Sequence, residues 1–374
     1  MGQTGAVVGN IQVVAQETPT EPIVGPSTEP EPSPVAMPRL ARHTLTLDDG
    51  HEVGVAICGE GVPLVVVHGF TAEGILYAQT LSRLVDLGFK IVAIDMAGHG
   101  GTLGLPTGAA SLASYTDLLR RTIDKLGIER AVFLGHSLGG RLVTQLVAEE
   151  PSRAIALISV DGIIGSTWDR MFNLSRFFPP VLGGVAVILV VDTLSTVPLF
   201  GDREQAAKLL HLVTPTLIGH IRRPWRMIAP AVSLLRSRGS GWMLDKVRQE
   251  RIPFWAMTGQ LDFAVPAATA RDAARRAAGQ LVVVHGGTHS WLLKDPESLP
   301  AIMLRLMEGS LGTAVLRAEM KGGLDPDGAT RADVEKVFTT DGALVTALTP
   351  ELHDFRDDES LHDKPRYRFT ISAS

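Results

Sequence analysis

The sequence predicts a mostly parallel α/β sheet with helices on both faces, interrupted by a helical insertion. Three observations point there. Short, continuous apolar runs rich in β-branched residues alternate with segments of helical periodicity, the pattern of strands buried on both faces. Several of these runs end in a glycine-bearing turn. The alternation stops over residues 163–250 and then resumes.

In chain order, HTLTLDDGHEVGVAICGEG reads as two strands turning at Asp49-Gly50, a pair suited to a hairpin, which places antiparallel strands at the amino-terminal edge. PLVVVHGF is a buried strand over Leu64 to Val67, followed by a helical stretch over residues 73–87. KIVAIDMAGHG is a second buried strand. Residues 111–126 carry Leu112, Tyr115, Leu118, Leu119 and Ile123 at helical spacing. AVFLGHSLGG is a strand, a sharp turn and a helix start, and AIALISVDG is another strand. The insertion that follows is rich in Trp, Phe, Met and Leu, although VAVILVV within it could pass for a strand. Afterwards RIPFWAMTGQ and QLVVVHGG are strands, with helices over 267–278 and 296–307. The expected organisation is therefore a disordered tail over 1–41, a core over 42–162 and 251–308, a helical insertion over 163–250, and a poorly defined extension over 309–374. In that tail the Pro-, Glu-, Thr- and Ser-rich stretch 16–38 has too little apolar surface to offset its ordering entropy. The extension holds one helix, ATRADVEKVF; LDPDGA resembles the start of a calcium loop, but Lys336 stands where the closing Glu belongs.

Composition narrows the function. Hydrophobic residues make up 45% and charged residues 20%, with a net charge of -5 and no basic block, so nucleic acid is not an expected partner. The single cysteine, Cys58, precludes an internal disulfide and reads as a buried structural thiol. No transmembrane segment is expected: the longest apolar stretch, Val181 to Val191, contains a Gly pair and stops at Asp192. The amino terminus lacks the basic start and apolar core of a secretory signal, which leaves the cytoplasm as the expected compartment.

The chemistry concentrates at strand ends. Gly135-His136-Ser137-Leu138-Gly139 fits G-x-S-x-G and lies between a strand and a helix, where a tight turn raises the hydroxyl above the sheet edge. Ser137 is the expected nucleophile. Its base is sought in the loop after LVVVHGG, at His289, and the acid that orients the base is Asp262, just past PFWAMTG. Asp161, after the strand before the insertion, is a second acid position; Asp262 is preferred because it immediately precedes the helix and strand that lead to His289. His285, His136 and His99 are read as structural. Negative charge developing on a substrate oxygen needs fixed N–H donors, assigned to Phe70 and Leu138. His68, Gly69, Gly135 and Gly139 shape the turns around them.

Taken together, VVVHGF, IDMAGHG, GHSLGG, TGQLDFAVP and GGTHSW resemble, in the same order, the segments that define the α/β-hydrolase superfamily, over residues 42–307. The resemblance implies a triad of Ser137, Asp262 and His289 with Phe70 and Leu138 as oxyanion hole. It also implies that residues 163–250 form a cap over the pocket. Haloalkane dehalogenases and epoxide hydrolases of that superfamily carry Asp at the elbow, so Ser137 speaks against both. Gly100-Gly101-Thr102 departs from the usual Gly-x-Ser at that place without touching a catalytic role. The expected activity is cleavage of a small-molecule ester or related acyl bond, with an apolar acyl or aromatic substrate suggested by Trp168, Phe172, Phe177, Phe178, Trp225, Met227 and Trp242. No metal or organic cofactor is expected. Carbon–carbon bond hydrolysis, acyl transfer and cofactor-free perhydrolysis on the same triad stay open, as does a non-catalytic ligand-binding role.

Overall fold

A computed structural model of the protein describes residues 40–70, 72, 77–105, 110–178, 225–341, 343 and 364–373. It also describes ten positions of the inserted segment (180, 183, 184, 187, 188, 191, 192, 214, 218 and 222). The expected disordered tail, residues 1–41, lies almost wholly outside them.

Among the described residues nine strands form one sheet: β1 (Ala41–Thr46), β2 (Glu52–Cys58), β3 (Val62–Val67), β4 (Phe89–Ile94), β5 (Ala131–His136), β6 (Ala154–Val160), β7 (Phe254–Gly259), β8 (Gln280–Val284) and β9 (Phe369–Ala373). Their order is β1-β2-β4-β3-β5-β6-β7-β8-β9. From β4 to β8 every pairing is parallel, whereas β1, β2 and β9 add antiparallel edges. The chain leaves β3 for β4 on one side and then crosses to β5 on the other, so the strand order reverses between β3 and β5. Sheets of this kind bind ligands in the crevice at that reversal, outside the carboxyl ends of the strands.

Side chains along each central strand alternate between two cores. Val65 and Val67 of β3 join one apolar cluster, and Leu64 and Val66 join the other. The first cluster is closed by α2 (Leu112–Lys125), α3 (Leu138–Glu149) and α7 (Ala267–Ala277), with contributions from α4 (Ser166–Phe177) and α6 (Gly241–Gln249). The second is closed by α1 (Ala78–Ser82), α8 (Trp291–Lys294), α9 (Ser298–Met307), α10 (Ser310–Lys321) and α11 (Arg331–Phe338). The helix starts are set locally: Ser111 caps α2 by accepting from the N–H of Ser114, and Thr330 with Asp333 forms a capping box on α11.

The inserted segment between β6 and β7 is helical where it is described, through α4, α5 (Trp225–Arg236) and α6. Val187, Ile188 and Val191 of VAVILVV are helical, not extended. Trp168 and Phe172 stack with ring centroids 5.7 Å apart and pack into the core. By contrast Phe177, Phe178 and Trp242 are exposed. The side chains of Trp225 and Met227 lie outside the described residues. Buried Arg141 of α3 ties the segment down, donating to the carbonyl of Arg238 at 2.6 Å and facing Asp169 at 3.4 Å. Among the described residues no single helix is long and apolar enough to cross a membrane.

The carboxyl-terminal extension, expected to be poorly defined apart from the helix ATRADVEKVF, supplies that helix as α11, together with α10 and the edge strand β9, paired with β8 from Gln280↔Ala373 to Val284↔Phe369. Glu335 of α11 meets Lys90 of β4 at 2.9 Å, with both side chains almost fully buried. Removing one member of a buried pair leaves the other charge uncompensated, at a cost of about 3–5 kcal/mol. Glu335→Ala is therefore expected to lower the urea midpoint by that equivalent while leaving the m-value unchanged; an unmoved midpoint would mean that the extension adds nothing to the core.

Candidate active site

β5 ends at His136, and Ser137 then takes φ 53° and ψ -115°. A non-glycine residue in such a conformation costs of order 1–3 kcal/mol and persists only where its surroundings fix it. The fixing bonds come from the neighbouring strand and its loop. The N–H of Ser137 donates to the carbonyl of Val160 at 2.8 Å, and its own carbonyl accepts from Ile163 at 3.3 Å. The flanking glycines answer to close approach. A Cβ on Gly135 would collide with the carbonyl of Gly139, and one on Gly139 with the carbonyls of Val67 and His68. Helix α3 thus presses against the ends of β3 and β5 as closely as backbones allow. Leu138 opens that helix, so its N–H belongs to the first turn, which has no acceptor within the helix.

Asp262 and His289 are brought together from the ends of adjacent strands. Past β7, the Asp262 Oδ1 accepts the N–H groups of Ala264 at 2.9 Å and Val265 at 2.8 Å. This leaves Oδ2 to bond Nδ1 of His289, in the loop after β8, at 2.7 Å. Both side chains are buried. Burial by itself pushes the His289 imidazolium down, but the charge and hydrogen bond of Asp262 outweigh it and hold the ring raised, at about 9. With Nδ1–H committed to Asp262, the basic atom of the neutral ring is Nε2.

His136 joins the elbow to the His289 loop. Its Nε2–H donates to the carbonyl of His289 at 3.0 Å, and its Nδ1 accepts from the hydroxyl of Tyr77 at 2.9 Å. The two imidazoles lie 4.8 Å apart, centroid to centroid. Burial first, and the neighbouring His289 second, push His136 down to about 3, so it stays neutral and this bonding pattern holds across the physiological range. Gly69 completes the junction: a Cβ there would stand 2.7 Å from His136 Nδ1 and 3.3 Å from Ser137 Cβ. The turn after β3 therefore lies directly against the serine.

The same turn is braced from below. His68 donates from Nδ1 to the carbonyl of Gly69 at 2.7 Å, and its Nε2 accepts the N–H of Met96 at 2.9 Å. Buried His99 donates from Nε2 to the carbonyl of Phe70 at 2.9 Å. Phe70 is thus fixed from the loop after β4.

Asp161, the other acid position, does not hold the imidazole nitrogen. Its Oδ1 accepts the N–H of Gly259 and its Oδ2 the indole N–H of Trp291, each at 2.9 Å. Burial, then the charge of Asp262, keeps its carboxyl well above the usual carboxylate range. Ligand atoms of His136, Asp161 and His289 lie within 4.8 Å of one another. Each offers one atom to such a group, and His136 could do so only by giving up Tyr77 at Nδ1 or the His289 carbonyl at Nε2. His285 stands apart, its N–H donating to the carbonyl of Arg368 beside the β8–β9 pairing.

Sequence reasoning gave His136 and His99 structural roles and did not find Tyr77 or Trp291. Both histidines sit among glycines at strand ends, the one available signal. Tyr77 and Trp291 carried none, because only the folded sheet brings residues 77, 136 and 289, or 161 and 291, together.

The model of the alpha/beta hydrolase family matches residues 64–299. Among curated proteins, one of Mycobacterium phage D29 named a non-heme haloperoxidase is 29% identical over 264 residues, covering 69% of this chain and 92% of that protein. The pimeloyl-[acyl-carrier protein] methyl ester esterase of Yersinia enterocolitica is 24% identical over 261 residues, covering 68% of this chain and 96% of the esterase. Among solved structures, one from a study of carboxylesterases of Nitrososphaera gargenis superposes with a TM-score of 0.56 at 20% identity. It covers 74% of this chain and all of the other.

Proposed function

The chain belongs to the alpha/beta hydrolase family, and from that premise we propose that it is a serine hydrolase that cleaves a carboxylic ester through an acyl-enzyme. The observation that carries the reading is the 2.7 Å bond between Asp262 and His289 Nδ1, set beside a serine held in a strained elbow. Ser137 Oγ attacks the acyl carbonyl while Nε2 of His289 takes its proton, and Asp262 stabilises the imidazolium that forms. The oxyanion is met by the N–H groups of Phe70 and Leu138. The protonated ring then gives its proton to the leaving alcohol, and His289 next draws a proton from water to release the acid and restore the serine. No step calls on a metal or an organic cofactor.

Support for an apolar acyl or aromatic group comes from the rim. Leu261 and Phe263 flank buried Asp262 yet are 45% and 72% exposed. Residues 163–250 are proposed as the cap over the pocket, with 42–162 and 251–308 as the core. The name of the phage relative favours one further outcome on the same acyl-enzyme, transfer of the acyl group to hydrogen peroxide in place of water.

Ser137→Ala tests the nucleophile. Against p-nitrophenyl esters of increasing chain length, turnover is expected to fall by at least about a thousandfold with the fold intact by circular dichroism. Retained turnover would sink the assignment. The base makes a separate prediction. A proton on His289 blocks its role, so kcat/KM is expected to rise with pH to a midpoint at about 9, and a midpoint below the ordinary 6.5 would contradict the site described.

A further inference from the structure

The hydrolase reading uses Ser137, Asp262, His289, Phe70 and Leu138 of the core and gives no role to Asp192, a largely buried carboxylate of the inserted segment. Asp192 lies between α4 and α5, on a helical stretch whose Val187 and Val191 are exposed. Its side chain is only 10% exposed. Oδ2 accepts the backbone N–H of Ser290, the residue after His289, at 2.7 Å. Oδ1 faces Lys294 Nζ at 3.4 Å, and that ammonium also donates to Thr288 Oγ1 at 2.7 Å. One carboxylate from the insertion therefore grips the His289 loop on both sides of the imidazole, at 288 through Lys294 and at 290 directly.

We infer that Asp192 is a positioning residue through which the inserted segment holds the His289 loop in its working conformation. The inference rests on the hydrolase reading above. The loop of the base is tied to the core by the bond of His136 to the His289 carbonyl, by Asp262 on the ring, by the Leu261 N–H on the Gly287 carbonyl and by Lys294 on Thr288. Asp192 adds a further tie, to the Ser290 N–H, from a different part of the chain.

The charge of Asp192 has a second consequence. Burial pushes its carboxyl up, but hydrogen bonds from Thr288 and Ser290 and the charge of Lys294 overcome this and keep it below the usual range. It is thus an anion at neutral pH. The titratable and charged groups around His289 are Asp262 at the end of β7, Asp161 at the end of β6, His136 at the end of β5, and Asp192, with Lys294 of α8 behind the last. Removing the Asp192 charge disfavours the imidazolium and shifts the acid limb of the profile toward lower pH.

The test compares Asp192→Asn, which keeps an acceptor for Ser290 but no charge, with Asp192→Ala, which removes both. For each, the kcat, KM and pH profile of p-nitrophenyl ester hydrolysis are measured, with the melting temperature in parallel. Asp192→Ala is expected to lose about tenfold in kcat, the scale of one hydrogen bond to a charged group, with KM little changed. Asp192→Asn should retain most of that kcat. Both should move the midpoint of kcat/KM to lower pH. Wild-type kcat in the alanine variant, or a midpoint that moves in neither, would overturn the inference; so would an equal loss in both variants that follows melting temperature alone. The Ser137→Ala control separates the two claims, because hydrolysis surviving there defeats the hydrolase reading whatever the Asp192 variants do.

Discussion

Parallel strands carry all their carboxyl ends on one edge, and the rest of this structure follows from that constraint. The turns after β3, β5, β6, β7 and β8 open onto the same rim, so Gly69 and Phe70, Ser137, Asp161, Asp262 and His289 become neighbours although they span more than half the chain. The strand order reverses between β3 and β5, beside the elbow, the place where sheets of this kind bind ligands. Close approach then sharpens the arrangement. Helix α3 can lie against the β3 carbonyls only because Gly139 has no side chain.

Such a site is costly to hold. Ser137 and Asp161, at the ends of adjacent strands, both have positive φ, and each such residue costs of order 1–3 kcal/mol. Four ionisable side chains, His136, Asp161, Asp262 and His289, are buried within the same small volume. They are tolerable because almost every polar atom has a partner: Tyr77 and the His289 carbonyl for His136, Gly259 and Trp291 for Asp161, and Ala264, Val265 and the imidazole for Asp262. The opposed shifts of the two histidines follow from these partners. His289 gains an anionic neighbour and is raised, whereas His136 has only neutral hydroxyl and carbonyl partners and is pushed down by burial.

Much of this was legible in the sequence, for a specific reason. Buried parallel strands need continuous apolar runs, and LVVV, KIVAI, AVFL and AIALISV could hardly read otherwise. The sharp turn after β5 was visible because only glycine fits at 135 and 139, a requirement written in two letters. Choosing Asp262 over Asp161 rested on adjacency to His289 in the strand order, and the register of β7 on β8 places Gly259 beside Val284 accordingly. The edge strand β9 was not legible. Phe369-Thr370-Ile371-Ser372-Ala373 alternates apolar and polar residues, but the run is only five residues long and its partner β8 lies 85 or more residues earlier. Nor were the bonds of Tyr77, Trp291 and Asp192, which depend on side chains meeting across the fold and leave no local pattern.

The central claim is that the Ser137 hydroxyl is activated and faces the N–H groups of Phe70 and Leu138. A crystal structure of the protein after reaction with a fluorophosphonate tests it most directly. Phosphorus is expected to be bonded to Ser137 Oγ, with the phosphoryl oxygen within hydrogen-bond distance of both N–H groups and His289 Nε2 beside the adduct. A protein that stays unmodified, or one modified at another side chain, would contradict it.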